Sequence, residues 1–526
     1  MFARGRLTPL VVALAVLGAA ACDDDPVVPD DNTPDAPTGV SVAVQGASLV
    51  VTWTASAGAT AYDVQRAEAT GSPSFTVVGA DQTTTSYTDA TPTAGTNYLY
   101  RVIAKNVDGS STPSDPAAGT VPPNIEVLSG DVTTDRTLDA SKEYIIAGIV
   151  SVLDGVSLTI PAGTVLKGST TVVPSAVLVR QGGQIFSNGT EADPVVFTSG
   201  EAVGSRAAGD WGGVVINGRS ICNFITADGE NCVSEGVSGP YGEQPAVLDD
   251  DSGVMTYTRI EFAGYEASFG NELNALTLNG VGSGTELHHI QTHHGLDDGF
   301  EWFGGTVDLK YGLATGISDD SFDYSTGWQG RGQFWIAQHS PTNSESDNGF
   351  EVDGNENDPD ATPFTDPTIY NVTLVGGGDG AANSDVGLLL RLGTSGDIFN
   401  AVVMGFQDSG VDIDNAETVA NGLTVQNSIV GLNATDVSAD ADGVDDEGLM
   451  ATVAWNNLIG SDPELADPFN LTAPDFRPTA GGNAVTHPAA EPPDDGFFTI
   501  GIGFIGGADP AEATPWYTGW TTTAAN

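Results

Sequence analysis

The sequence predicts an all-β protein: a small β-sandwich, then a long solenoid of short parallel strands, then a C-terminal capping segment. Three observations carry this. Gly at 67 and Pro at 29 of 526 residues, with few runs of helical periodicity, mark many tight turns between short strands. Residues 37–121 alternate apolar and polar side chains in segments separated by turn residues. Beyond them one phrase recurs: Asp297-Asp298-Gly299-Phe300-Glu301-Trp302, Asp319-Asp320-Ser321-Phe322-Asp323-Tyr324, Asp347-Asn348-Gly349-Phe350-Glu351-Val352, Asp385-Val386-Gly387-Leu388-Leu389-Leu390 and Asp408-Ser409-Gly410-Val411-Asp412-Ile413. The steps of 22, 28, 38 and 23 residues, with an insertion in the longest, are a solenoid period.

The formal charge is −54, from 70 acidic and 16 basic side chains. Such a field repels nucleic acid, anionic lipid surfaces and polyanionic glycans unless cations intervene, so nucleic acid is excluded as a partner. Adaptation to high salt and divalent-cation binding both produce this composition, and composition does not separate them.

Residues 1–22 read as a targeting segment. Arg4 and Arg6 open it, Leu7–Gly18 is its apolar run, and Ala19-Ala20-Ala21-Cys22 resembles the lipobox of bacterial lipoproteins, with Ala19 in place of the usual Leu. The resemblance implies lipidation at Cys22, membrane anchoring and an exported protein at the outer membrane or cell surface. An ordinary secretory peptide cut near the same place is the alternative. Residues 23–36, rich in Asp and Pro, suit a solvated tether. Cys222 and Cys232 are then the remaining cysteines: in an exported chain they are expected to close a small disulfide loop, two buried thiols being the alternative.

Within 37–121, Leu49–Trp53, Ala61–Arg66 and Thr96–Ala104 read as strands. The segment resembles a fibronectin type III domain, with Trp53 at the family's core tryptophan and Tyr98 at its tyrosine corner. The resemblance implies a spacer or a protein-contact module. Pro122-Pro123 marks its end. The phrases LTIPAGTVLKG, LVRQGGQIFSNGT and PVVFTS over residues 158–199 resemble the opening turns of right-handed parallel β-helix proteins. There each turn lays one strand above the last at about 4.8 Å, with Gly and Asn at the corners. Residues 124–460 hold roughly a dozen such turns, with 222–251 and 355–367 as loops leaving the coil. The segment 461–526 breaks the repeat and is expected to cover the open last turn. The region after 124 also resembles a broad group of exported bacterial lipoproteins sharing DDGxEWFGGTV and a following DDSxD. That likeness implies an architecture and no reaction.

Strand alternation sends Phe300, Phe322, Phe350, Leu388 and Val411 inward, with Trp302, Tyr324, Val352, Leu390 and Ile413. Glu301, Asp323, Glu351 and Asp412 point outward, Leu389 breaking the row. The leading Asp297, Asp319, Asp347, Asp385 and Asp408 form a second column at a corner. Like charges at strand spacing repel by about 3 kcal/mol per pair at an effective dielectric of 20. Backbone N–H groups at the turns offset that cost in one reading. In the other, Asp297, Asp298, Asp319 and Asp320 bind a cation, and an oxygen-only set suits Ca²⁺. Ser438–Gly443 and Asp353–Asp360 are weaker acidic loops. His288, His289, His293 and His294 sit as two doublets on a short strand, which places partners on opposite faces and argues against a four-histidine metal site.

Two functions follow. The first is a non-catalytic scaffold adhering to a glycan or protein partner, stiffened by Ca²⁺, with Trp328 (a sugar-stacking candidate), Arg331, Glu301 and Asp323 as ligand contacts. The second is a polysaccharide hydrolase or lyase using Asp297, Asp298, Asp319 and Asp320, paired carboxylates serving as acid and base. Against the second, the chain departs from the pattern of polygalacturonase-type enzymes, an Asp pair with a histidine and an Arg/Lys pair: the order differs, there is no Gly-His-Gly, and Lys310 and Arg331 do not form the paired motif. A lyase, in turn, needs a basic residue in a very negative chain.

Overall fold

The computed structural model describes residues 32–526 except 46–47, 123, 224–231, 235, 237–238, 268–271 and 440–442. Cys22, the leader 1–22, most of the tether, and Asp440 and Asp442 of the weaker acidic loop lie outside the described residues. Among the described residues, no helix is long and apolar enough to cross a membrane. The chain forms two compact units that divide at residue 123.

In the first unit, Thr38–Gln45, Ser48–Thr54 and Ser86–Asp89 make one antiparallel sheet. Thr76–Gln82, Ala61–Glu68, Asn97–Lys105 and Ala117–Thr120 make the other. Inward alternation buries Trp53, Tyr62, Val64, Tyr100 and Val102 between them. The Tyr98 hydroxyl accepts from Thr93 N at 3.2 Å, which is the tyrosine-corner bond expected of this fold. The sandwich is a fibronectin type III domain.

The second unit is a parallel β-helix. Each mid-coil turn contributes to three ladders. Phe300–Phe303, Phe322–Ser325, Phe350–Asp353, Val386–Arg391 and Ser409–Ile413 stack in the first, and its register sets Phe300, Phe322, Phe350, Leu388 and Val411 one above another. The other two ladders share strands that turn a corner midway: Gly253–Glu261, Glu286–His293, Asp308–Thr315, Arg331–Gln338, Thr368–Val375 and Asp397–Met404. At that corner Tyr257, His289, Tyr311, Phe334, Asn371, Asn400 and Asn427 all take positive φ, between 42° and 64°. Asn adopts this conformation readily, whereas an aromatic residue there needs support from its surroundings. Stacking supplies it: His289 lies 4.4 Å from the Tyr257 ring and 4.2 Å from the Tyr311 ring, and Tyr311 lies 5.1 Å from Phe334.

Inside the coil the aromatic residues pack face to face. Phe322 is 5.1 Å from Phe300 and 4.9 Å from Trp335, and Trp302 is 5.2 Å from Trp335. Gly332 makes room for this packing, since a Cβ there would meet the Trp335 ring at 2.7 Å.

The C-terminal segment departs from expectation. It lies along the flank of the coil, and the open last turn is covered instead by Val444, Leu449, Met450 and Trp455, which pack on the interior core. Along the flank, Leu465, Phe476, Ile505 and Tyr517 pack on Leu313, Ile336, Val375, Val402 and Ile429. Asn371, Asn400 and Asn427 donate to the Phe504, Ala490 and Pro488 carbonyls, and Asn526 reaches Gly204 and Arg206. The corner residues left an apolar and amide-lined seam, and this segment fills it.

Candidate functional site: an acidic groove

The outward residues of the first ladder build a groove of about 470 Å³. Its floor is Asp297, Asp298 and Glu301 on one turn, Asp319, Asp320 and Asp323 on the next, and Asp347, Glu351 and Asp353 on the third. Register sets Glu301 beside Asp323 and Asp323 beside Glu351. Both excursions expected to leave the coil fold back as walls: Val233, Ser234 and Tyr241 come from the first, Asn355, Glu356 and Asn357 from the second. Asn223 knits them, donating to Gly354 O and Pro363 O at 3.2 and 3.1 Å and accepting from Asn355 Nδ2 at 3.0 Å. The Cys222–Cys232 disulfide forms as expected and is buried against Tyr241.

The two Asp columns divide their roles. Asp298 and Asp320 are buried, and each caps the next turn: Asp298 N donates to Asn274 Oδ1 at 3.1 Å, Asp320 N to Asp298 Oδ1 at 3.0 Å, and Asn348 N to Asp320 Oδ1 at 2.7 Å. This column reads Asn274, Asp298, Asp320, Asn348. The outer turns use a neutral amide, which also bonds the outward Glu: Asn274 to Glu301, and Asn348 to Glu351 at 3.3 Å. The two middle turns put a carboxyl group at the same place, so capping alone does not account for the charge. The leading Asp297, Asp319 and Asp347 are half-buried at the rim.

Burial, then the charges of Asp297 and Asp320, holds the Asp298 carboxyl well above the usual carboxylate range. Burial and Glu351 do the same for Asp320. Asp347 is pushed up to about 6 by burial and by Asp319. Burial also raises Glu351 and Asp353, although Arg391 opposes it through ion pairs to both.

Carboxylate oxygens converge in four triads: Asp297, Asp298 and Asp319; Asp298, Glu301 and Asp323; Asp319, Asp320 and Asp347; Asp320, Asp323 and Glu351. Within each, the three oxygens lie within 4.8 Å of one another. Oxygens bound to Ca²⁺ sit on a sphere of about 2.3–2.6 Å radius and are therefore at most about 5 Å apart. The donor set fits a hard cation, with the remaining ligand positions open to water or a ligand.

Asp297, Asp298, Asp319 and Asp320, with Glu301 and Asp323, therefore share one groove. Two expected ligand contacts do not join them. Trp328 is fully buried: its Nε1 donates to Val307 O at 3.1 Å and its ring stacks on Trp302 at 5.0 Å. The loop around it is a corner of the coil, and the inner side of a corner faces the core. Arg331 lies on the next ladder, held by Asp308 and by Asp495 at 2.7 Å. Asn274, Asn348, Glu272, Tyr241, Asp353 and Arg391 were not expected here. Asn348 and Asp353 stand at repeat positions visible in the sequence, and Arg391 is one register step from Asp353. Glu272 and Tyr241 come from loops, which carry no periodic signal. The four histidines form two pairs: His288 and His289 bring their Nδ1 atoms to 2.9 Å, and His293, whose ring lies 4.2 Å from that of His294, engages the Thr315 hydroxyl and the Ala524 carbonyl through its ring nitrogens.

Residues 130–463 match a family described as pectate-lyase like beta helix domain, and residues 35–120 match the fibronectin type III domain. Among solved structures, an Fn3-like protein from Clostridium thermocellum is 34% identical over 17% of this chain and 95% of its own, with a TM-score of 0.16. A structure of titin kinase and its flanking domains is 34% identical over 17% of each chain, with a TM-score of 0.15. Pectate lyase PelI from Erwinia chrysanthemi, in complex with tetragalacturonic acid, is 8% identical over 67% of this chain and 88% of its own, with a TM-score of 0.15. No curated protein matches the chain.

Proposed function

We propose, from the premise that the chain belongs to the pectate-lyase-like β-helix domain family, that it is a non-catalytic binding scaffold anchored at the cell surface. Its acidic groove takes Ca²⁺ and, through the bound ions, an acid-bearing glycan. The observation that carries this reading is the set of four interlocking carboxylate triads on consecutive turns. So concentrated a negative field repels an anionic chain directly and attracts it only through intervening cations. Among the described residues the groove lining contains no Lys, Arg or His, and Arg391 beside it is tied to Glu351 and Asp353. A cationic group to neutralise a uronate carboxylate beside a carboxylate base would have to come from a bound cation.

A second reading, polysaccharide hydrolysis or elimination, is favoured by one feature. Burial raises the Asp298 and Asp320 carboxyl groups well above the usual carboxylate range beside other carboxylates, the kind of pairing of acid and base that glycoside cleavage uses.

A single experiment separates the two. The purified chain is melted and offered a polysaccharide panel, with Ca²⁺ and with chelator, while new reducing ends and unsaturated uronates are measured. The expected outcome is a Ca²⁺-raised melting temperature, Ca²⁺-dependent retention of a polyuronate, and no cleavage. Cleavage abolished by Asp298→Asn or Asp320→Asn makes the protein an enzyme. A melting temperature indifferent to Ca²⁺ removes the cation.

A further inference from the structure

One cleft lies outside the acidic groove. On its coil side are Glu286, Leu287, His288 and His289 on one turn and Asp308, Lys310 and Tyr311 on the next; on the other side are Gly496 and Phe497 of the flank segment. It encloses about 530 Å³. Register brings His288 beside Lys310. Leu309 points into the core, so Asp308 and Lys310 face outward.

The chemistry of this cleft differs from the rest of the surface. Lys105, Lys142 and Lys167 each pair with a carboxylate. Lys310, the fourth lysine, has no carboxylate at ion-pair distance among the described residues; one of its three N–H donors goes to the Phe497 carbonyl at 2.7 Å. In a chain with a formal charge of −54, a half-buried ammonium that meets a carboxylate only beyond ion-pair distance, here Asp495, is unusual. The carboxylates nearby are engaged elsewhere. Asp308 accepts from the Arg331 backbone and guanidinium, and Asp495 from the Arg331 guanidinium. Glu286 stands at the rim, 3.4 Å from His288 Nε2. Burial lowers the Lys310 pKa, and the charge of Asp495 opposes it only in part. The Phe497 and Tyr311 rings lie 5.5 and 6.0 Å from the ammonium and give the cleft an apolar wall.

We propose that this cleft is a second, metal-independent ligand site that takes a sugar ring carrying an anionic substituent, a carboxylate or a sulfate ester. The substituent is bound by Lys310 and the C–H face of the ring packs on Phe497, with Tyr311, whose ring stacks on His289 and Phe334, closing the wall behind the ammonium. An ammonium with two open donors matches a single anionic group. Aromatic rings beside it match the mixed polar and apolar faces of a sugar. The site does not depend on the calcium reading and stands if the acidic groove binds nothing.

The test is calorimetric titration of the full chain in chelator with a hexuronate trisaccharide, a sulfated disaccharide and a neutral trisaccharide. The acidic sugars are expected to bind and the neutral one to bind at least about tenfold more weakly, the worth of one charge-assisted hydrogen bond. Lys310→Met is expected to remove that preference and Lys310→Arg to retain it, with melting curves confirming that each variant is folded. Equal binding of neutral and acidic sugars, an unchanged affinity in Lys310→Met, or no binding at millimolar ligand each overturns the proposal. Binding that disappears in chelator and in Asp298→Asn assigns the sugar to the acidic groove instead.

Discussion

Asp298 shows how one residue can cap a turn and still carry a charge its position does not require. Its Oδ1 accepts from Asp320 N, a role Asn274 performs without charge one turn away. Asn at 298 should therefore keep the cap and remove a buried carboxyl whose ionisation is opposed by Asp297, Asp320 and Asp323. In chelator at pH 7.5, Asp298→Asn is expected to melt above the parent, while its Ca²⁺-induced shift shrinks. The pH dependence has a definite sign. Asp298, Asp320 and Asp347 hold protons in the folded chain at pH values where the unfolded chain has lost them. Their contribution to stability is full below the unfolded carboxyl range, near pH 4, and is lost as pH rises through the folded values, about 6 for Asp347. The melting temperature in chelator should fall between pH 4 and 7, and saturating Ca²⁺ should reduce that fall by taking the place of the protons. A curve in chelator that rises over this range contradicts the assignment.

At the scale of the strand, side-chain direction was legible because a parallel ladder repeats its inward and outward sides at every turn. Phe300, Trp302, Phe322, Tyr324 and Phe350 are buried at 1% exposure or less, where alternation placed them. Corners were not legible in the same way. Trp328 read as a loop residue and is core, because a corner has an inner side that a linear pattern does not mark. In the corner run, Asn371, Asn400 and Asn427 are of the type expected at corners, whereas Tyr257, His289, Tyr311 and Phe334 are not, since positive φ in an aromatic residue has no sequence signature. Packing at this scale is tight. Gly332→Ala drives a methyl group to 2.7 Å from the Trp335 ring and is expected to cost about 1–3 kcal/mol, measured by denaturant unfolding. No loss would show that the aromatic stack can shift.

At the scale of the molecule, the segment after residue 460 holds the flank rather than the end. Removing it uncovers Leu313, Ile336, Val375, Val402 and Ile429 along one face, an apolar strip of the kind that drives association. A chain ending at Gly460 is expected to elute as soluble oligomers or aggregate and to bind a hydrophobic dye, with the first-ladder core intact by near-ultraviolet dichroism. A monodisperse monomer would show that the flank is dispensable. What the sequence determined by itself was the all-β class, the division near residue 123, the repeat and the faces of its strands, because each is written in local periodicity and turn residues. The tertiary structure decided which loops wall the groove, that Arg391 and not Arg331 stands beside it, and that Asn and Asp share one capping column. Those depend on residues 24 to 131 positions apart meeting across turns and excursions, and such meetings follow from the stacking of turns, which no short stretch of sequence encodes.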